Sequence, residues 1–234
     1  MAQTPRFPGK DRLARFMRYR IEAKQIGPRT ILEQRKIPEM NRINQIEPET
    51  ATGRTRDLFK TVKTNYGSVP NVFRVLGNSP TALSGFLSFN KALSEGAFDA
   101  KIREQIALTV AETNLCKYCL SAHTAIGSAV GLTNQEVLGA RQASASATKT
   151  DAILKFARSV VVSRGELSDT EISDAKNAGL NDGEIVETVA NVAANILTNY
   201  LNHIAATDVD FPEVRTGEIE AAIQACSNEC ACSY

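Results

Sequence analysis

KIREQIALTVAETNLCKYCLSAHTAIG, residues 101–127, decides the architecture. Ile102, Ile106, Leu108, Val110 and Ala111 recur at helical spacing, which predicts a helix over residues 99–113. Asn114 breaks it, and a second helix is expected from about Leu115 to Val130, closing at Gly131. Cys116, Cys119 and His123 fall three and four residues apart, so a helix puts all three on one face. Two thiols one turn apart can close a disulfide or share a metal, and a histidine one turn further on can exchange a proton with the nearer sulfur.

The same periodicity continues on both sides. Leu58, Phe59 and Val62 predict a helix ending near Gly67, and Ser79-Pro80 reads as an N-cap followed by proline at the first helical position. That helix carries Leu83, Phe86, Leu87, Ala92 and Leu93 and stops at Gly96. Thr133–Glu136 and Ser168–Glu171 have the capping-box spacing. A helix is expected from Asp151 to about Arg164, and Asn181 caps a long one through Ile185, Val189, Val192, Ile196, Leu197 and Leu201. Residues 214–225 give one more. Strand-like alternation is absent, so the fold class is all-α, with roughly eight or nine helices and short loops.

Composition narrows the function. The 234 residues are 43% hydrophobic with no tryptophan, so Ala, Leu, Ile and Val build the core. Neither a membrane-span-length apolar run nor a signal-peptide core is present. Net charge is +1, but residues 1–42 hold 11 basic and 4 acidic residues, leaving 16 basic and 22 acidic in the rest. A mildly acidic body argues against nucleic acid as a partner. The basic extension, 1–42, reads as a solvated or partly disordered arm, with an anion-binding arm and a natural start at Met40 as alternatives. Five cysteines, three of them (Cys226, Cys230 and Cys232) in the last nine residues, do not make a secreted disulfide framework. They point to a reducing, cytoplasmic compartment. The division expected is 1–42, a helical domain over 43–212, and a helix with a Cys-rich tail over 213–234.

The thiolate is the reactive form of cysteine, and a helix N-terminus and a nearby histidine both favour it. An acid must orient that histidine. Glu104, amid an apolar stripe, and Glu112, at the helix end and expected to face solvent, are the candidates. A zinc site on Cys116, Cys119 and His123 lacks a fourth ligand nearby. Tyr118 reads as a packing residue at a pocket wall whose hydroxyl can donate. His203 reads as a hydrogen-bonded structural histidine, with an approach to the active site as the alternative.

Glu104, eleven residues, Cys116, two residues, Cys119, three residues, His123 is a pattern that resembles the carboxymuconolactone decarboxylase/alkylhydroperoxidase D-like family. The likeness is densest over 93–131, extends from about Asn41 to Pro212, and is nearest the peroxidase-related branch. It implies a compact multi-helix bundle of the alkylhydroperoxidase D-like type. It also implies a thiol peroxidase for small organic hydroperoxides, with Cys119 peroxidatic, Cys116 resolving, and Glu104 and His123 as proton relay. No metal or other cofactor is implied; a dithiol reductant and a homo-oligomer are. The family's enzymes carry a histidine where this chain has Tyr118, a poorer base. Its decarboxylases lack the cysteine pair, so a lyase is the second reading and a non-enzymatic redox sensor the third.

Overall fold

A computed structural model describes residues 42–217 of the chain. The basic extension to residue 41, the Met40 start and the tail cysteines Cys226, Cys230 and Cys232 lie outside the described residues, as does most of the helix expected at 214–225. Residues 214–217 are not helical.

The described residues form nine helices and no strand. They are α1 (Gly53–Tyr66), α2 (Asn71–Leu76), α3 (Pro80–Ser94), α4 (Ala100–Thr113), α5 (Lys117–Ala129), α6 (Asn134–Arg141), α7 (Thr148–Val162), α8 (Asp169–Asn177) and α9 (Asp182–Ala205). Most boundaries follow from capping. Ser79 accepts from Ala82 N with Pro80 at N1, and Asp99 accepts from Ile102 N at 2.9 Å. Thr133, Ser168 and Asn181 all close reciprocal capping boxes with the glutamate three residues on. Gly67 ends α1 at φ 78°, a left-handed conformation that glycine adopts at little cost. α2, which begins at Asn71, has no counterpart among the helices expected from the sequence. α7 starts one turn before Asp151, in the polar Thr148-Lys149-Thr150, where no apolar period signals a beginning.

α4 is the hub, packed on α5, α6, α7 and α9. Every residue from Gln105 to Glu112 is buried, so the helix has no solvent face in its second half. Leu83, Ile106, Leu108, Leu120, Ile153 and Leu154 are the largest of the fully buried side chains, each contributing about 1.5–3 kcal/mol by leaving water. Inside this packing Thr109 Oγ1 donates to Ala140 O at 2.6 Å and ties α4 to α6.

α9 runs parallel to α4. At one end Ala97 N donates to both carboxylate oxygens of Glu187, each at 2.9 Å. At the other, Asn114 Nδ2 donates to Asn199 Oδ1 at 3.0 Å, and His203 Nε2 lies 3.0 Å from Asn114 O. Residues 206–217 then return over α5. Asp210 accepts from Asn71 N and the Tyr118 hydroxyl, Val214 N donates to Ser121 Oγ, and Gly217 N donates to Glu112 Oε1. Among the described residues, no helix is long and apolar enough to cross a membrane.

Candidate active site

The cysteine pair sits where one helix ends and the next begins. Leu115 N donates to Glu112 O at 3.0 Å and Cys116 N to Ala111 O at 2.9 Å, the two bonds of a Schellman C-terminus. The left-handed position in that motif is Leu115, at φ 53°, where glycine is usual. A non-glycine residue there stores on the order of 1–2 kcal/mol of strain. The turn makes Cys116 both the closing residue of α4 and the N-cap of α5, so α5 begins two residues after the expected Leu115. Cys116 Sγ accepts from Cys119 N at 3.4 Å. Both sulfurs therefore lie at the positive end of α5.

The two thiols are held differently. Asn202 Nδ2, from α9, donates to Cys119 Sγ at 3.2 Å. The Cys119 thiol is lowered to about 7 by the hydrogen bond from Cys116, with the charge of His123 and the amides of Asn202 and Asn199 helping, against burial. The Cys116 thiol moves up, because it keeps its proton to donate to Cys119 and because it is buried. Cys119 is the more readily ionised thiol of the pair. Both free thiols are buried, at 1% exposure for Cys116 and 2% for Cys119.

His123 follows one turn after Cys119, with Nδ1 2.8 Å from Glu104 Oε2. Burial alone favours the neutral ring, but the charge and hydrogen bond of Glu104, with Cys119 adding, outweigh it and raise the histidine pKa. Nδ1–H directed at Glu104 fixes the tautomer and leaves Nε2 to exchange protons.

Cys119, His123 and Glu104 line a cavity of about 240 Å³ between α3, α4, α5 and α9. Phe73, Phe86, Leu93, Ile126 and Phe211 supply apolar wall, while Asn191, Asn195, Thr198 and Asn202 form a polar ladder along α9. Cys116 does not reach it. Tyr118 does, as expected of a wall residue. Its hydroxyl accepts from Val72 N at 3.1 Å, donates to Asp210 Oδ1 at 2.8 Å, and its ring meets Phe211 edge-on at 5.9 Å. Burial, with Asp210 adding, raises the phenol pKa, so Tyr118 ties the C-terminal segment to α2 and α5 as a neutral donor.

Glu112 corrects an expectation. Instead of facing solvent it is 6% exposed, and its Oε2 lies 2.9 Å from Nε of Arg141, itself 8% exposed. With Gly217 N on Oε1, and Arg141 Nη2 donating to Arg215 O, this pair clamps the C-terminal segment. His203 is exposed and bonds to Asn114 O, away from the cavity. Asn202 escaped the sequence reading, although Asn191, Asn195, Asn199 and Asn202 form a polar stripe at helical spacing in a helix read there as apolar. Among the described residues, no group of three or more His, Cys, Asp or Glu side chains is arranged to hold a metal ion.

Known proteins share this fold. An uncharacterized protein of Haemophilus influenzae is 40% identical over 68 residues, which is 28% of this chain and 60% of that protein. The match thus spans less than two thirds of the relative's length. Among solved structures, an alkylhydroperoxidase AhpD core, a peroxidase-related protein of Ralstonia eutropha JMP134, superposes with a TM-score of 0.64 at 23% identity, covering 74% of this chain and 94% of that one. A peroxidase-related protein of Silicibacter sp. TM1040 gives 0.65 at 21% identity, covering 75% and 94%. The debrominase Bmp8 in complex with 2,3,4-tribromopyrrole gives 0.64 at 16% identity, covering 74% and 94%. These likenesses show the fold, a helical bundle of the alkylhydroperoxidase D-like type. The sequence model of the carboxymuconolactone decarboxylase family matches residues 80–162, which hold Glu104, both cysteines and His123.

Proposed function

We propose that the protein is a cysteine-based peroxidase for organic hydroperoxides. The observation that carries this reading is a single cavity wall on which the lowered thiol of Cys119 and the His123–Glu104 pair stand one helical turn apart. The Cys119 thiolate attacks the terminal peroxide oxygen, the O–O bond breaks, and the sulfur becomes a sulfenic acid. The leaving alkoxide takes a proton from His123 Nε2, which Glu104 keeps charged. Cys116 then attacks the Cys119 sulfur. The S–S bond forms, water leaves with the Cys116 proton relayed through His123, and a dithiol reductant returns two electrons. Cys119 facing the cavity while Cys116 does not supports peroxidatic and resolving roles in that order.

Titration of thiols before and after one equivalent of cumene hydroperoxide, followed by mass mapping, tests the cycle. A Cys116–Cys119 disulfide in the wild type, a sulfenic acid on Cys119 in Cys116→Ser, and no peroxide consumption by Cys119→Ser are expected. Sulfenic acid on Cys116 in Cys119→Ser reverses the assignment.

A lyase for a small carboxylated lactone is the second reading. It is favoured by one observation, the basic side chain of Arg103 on the cavity wall. Turnover surviving removal of both cysteines selects it. A homo-oligomer is proposed on separate ground: Val186, Val189, Leu197, Tyr200 and Ile204 form an exposed apolar stripe along the outer face of α9.

A further inference from the structure

We infer that the end of the cavity opposite Cys119 is a seat for a carboxylate, with Arg103 as its cation, so that the substrate is an apolar hydroperoxide carrying an anionic group at its far end. This rests on the peroxidase reading for the peroxide group alone; the seat stands on its own geometry.

α4 and α9 fix where the two ends lie. Ala97 is bonded to Glu187 and Asn114 to Asn199, so the two segments run in the same direction. Arg103 is thereby level with Asn191, while Asn202, on the sulfur, stands eleven residues further along α9, about 16 Å of helix rise. Arg103, Asn90 and Asn191 line the same cavity as Cys119, Tyr118 and Asn202, and the separation of Asn191 from Asn202 along α9 defines its two ends. His123, which also lines it, is bound to Glu104, the neighbour of Arg103 in sequence.

The charges at the first end do not balance locally. Arg103 is half-buried, and the one side-chain hydrogen bond it makes among the described residues is from Nη1 to Phe98 O at 2.7 Å. It makes no ion pair there. Glu104 is paired with His123, and both oxygens of Glu187 hold Ala97 N. The Phe98 contact has a structural purpose, holding the start of α4, but uses one of the five N–H donors of a guanidinium. A planar cation on the wall of a largely apolar cavity, with its counter-charges engaged elsewhere, favours a bidentate carboxylate. The phenyl rings of Phe73 and Phe86 on the cavity wall fit an apolar body.

The test compares kcat/KM for cumene hydroperoxide and its para-carboxylate in the wild type, Arg103→Gln and Arg103→Lys. The wild type is expected to favour the carboxylate by on the order of tenfold, a charge-assisted hydrogen bond discounted for partial exposure. Arg103→Gln should bring that ratio near one, and Arg103→Lys should keep part of it. A ratio unmoved by Arg103→Gln overturns the seat. Binding of 4-isopropylbenzoate, followed by chemical-shift titration, reads the seat without turnover. Weaker binding to Arg103→Gln supports it even if neither peroxide is consumed, in which case the peroxidase reading alone falls. Equal binding to wild type and Arg103→Gln overturns the seat whatever the turnover.

Discussion

Replacing Asn202 by leucine removes the amide that donates to Cys119 Sγ while nearly keeping side-chain volume. The bond is 3.2 Å long and the residue is buried, so water does not replace the lost donor. A hydrogen bond to a charged group contributes roughly 1.5–3 kcal/mol, which is about one to two pKa units. The wild-type thiol, lowered to about 7, is half ionised at neutral pH. In Asn202→Leu the thiolate fraction there falls to roughly a tenth or a hundredth, and peroxide consumption falls about five- to fiftyfold. The sign follows from the lowered thiol: in the wild type this thiolate stabilises the fold most above its unfolded pKa, and that contribution is lost as pH falls through about 7. Ultraviolet thiolate absorbance against pH, measured in a background with Cys116, Cys226, Cys230 and Cys232 all replaced by serine so that one sulfur titrates, reads the shift directly. An unchanged midpoint in Asn202→Leu refutes the reasoning, whatever happens to the rate.

Glu104→Gln should lower the peroxide rate near neutral pH by roughly ten- to a thousandfold, the range of general acid–base catalysis, with rate profiles as the readout. Glu112→Gln should instead leave the pH profile in place and lower the unfolding free energy by about 3–5 kcal/mol, because Arg141 is left buried without its carboxylate; chemical denaturation measures it. Tyr118→Phe removes the donor to Asp210, and proteolysis within residues 206–217 should become faster. Light scattering at micromolar concentration should give a mass well above the 25.4 kDa of one chain, and a monomer returns the outer stripe of α9 to an unexplained surface.

Local chemistry was readable and distant pairing was not. The three capping boxes and Ser79-Pro80 announce helix starts because each cap is completed within four residues of itself. The cysteine helix starts two residues after the expected position because nothing about leucine advertises the left-handed turn at Leu115, φ 53°. α2, six residues long, is too short to show a period. Glu104 and His123 were legible as partners through their spacing and the family pattern. Glu112 was misplaced because Arg141, which buries it, comes 29 residues later on another helix. Asn202 meets Cys119 across 83 residues of chain, a contact that only the parallel packing of α4 and α9 creates.

In the proposed cycle, the burial of Cys116 has a consequence for how electrons return. Thiol–disulfide exchange needs the incoming sulfur in line with the bond it breaks. With Cys116 sealed by the turn at Leu115 and by α9, approach is open only from the cavity side, onto Cys119. That approach is flanked by Phe211 and the tied segment behind it. Under that proposal the architecture would act as a sieve on donors. A slim dithiol, or a cysteine on the tip of a narrow loop, reaches the bond directly, whereas a broad, flat redox partner must first prise Asp210 from Tyr118.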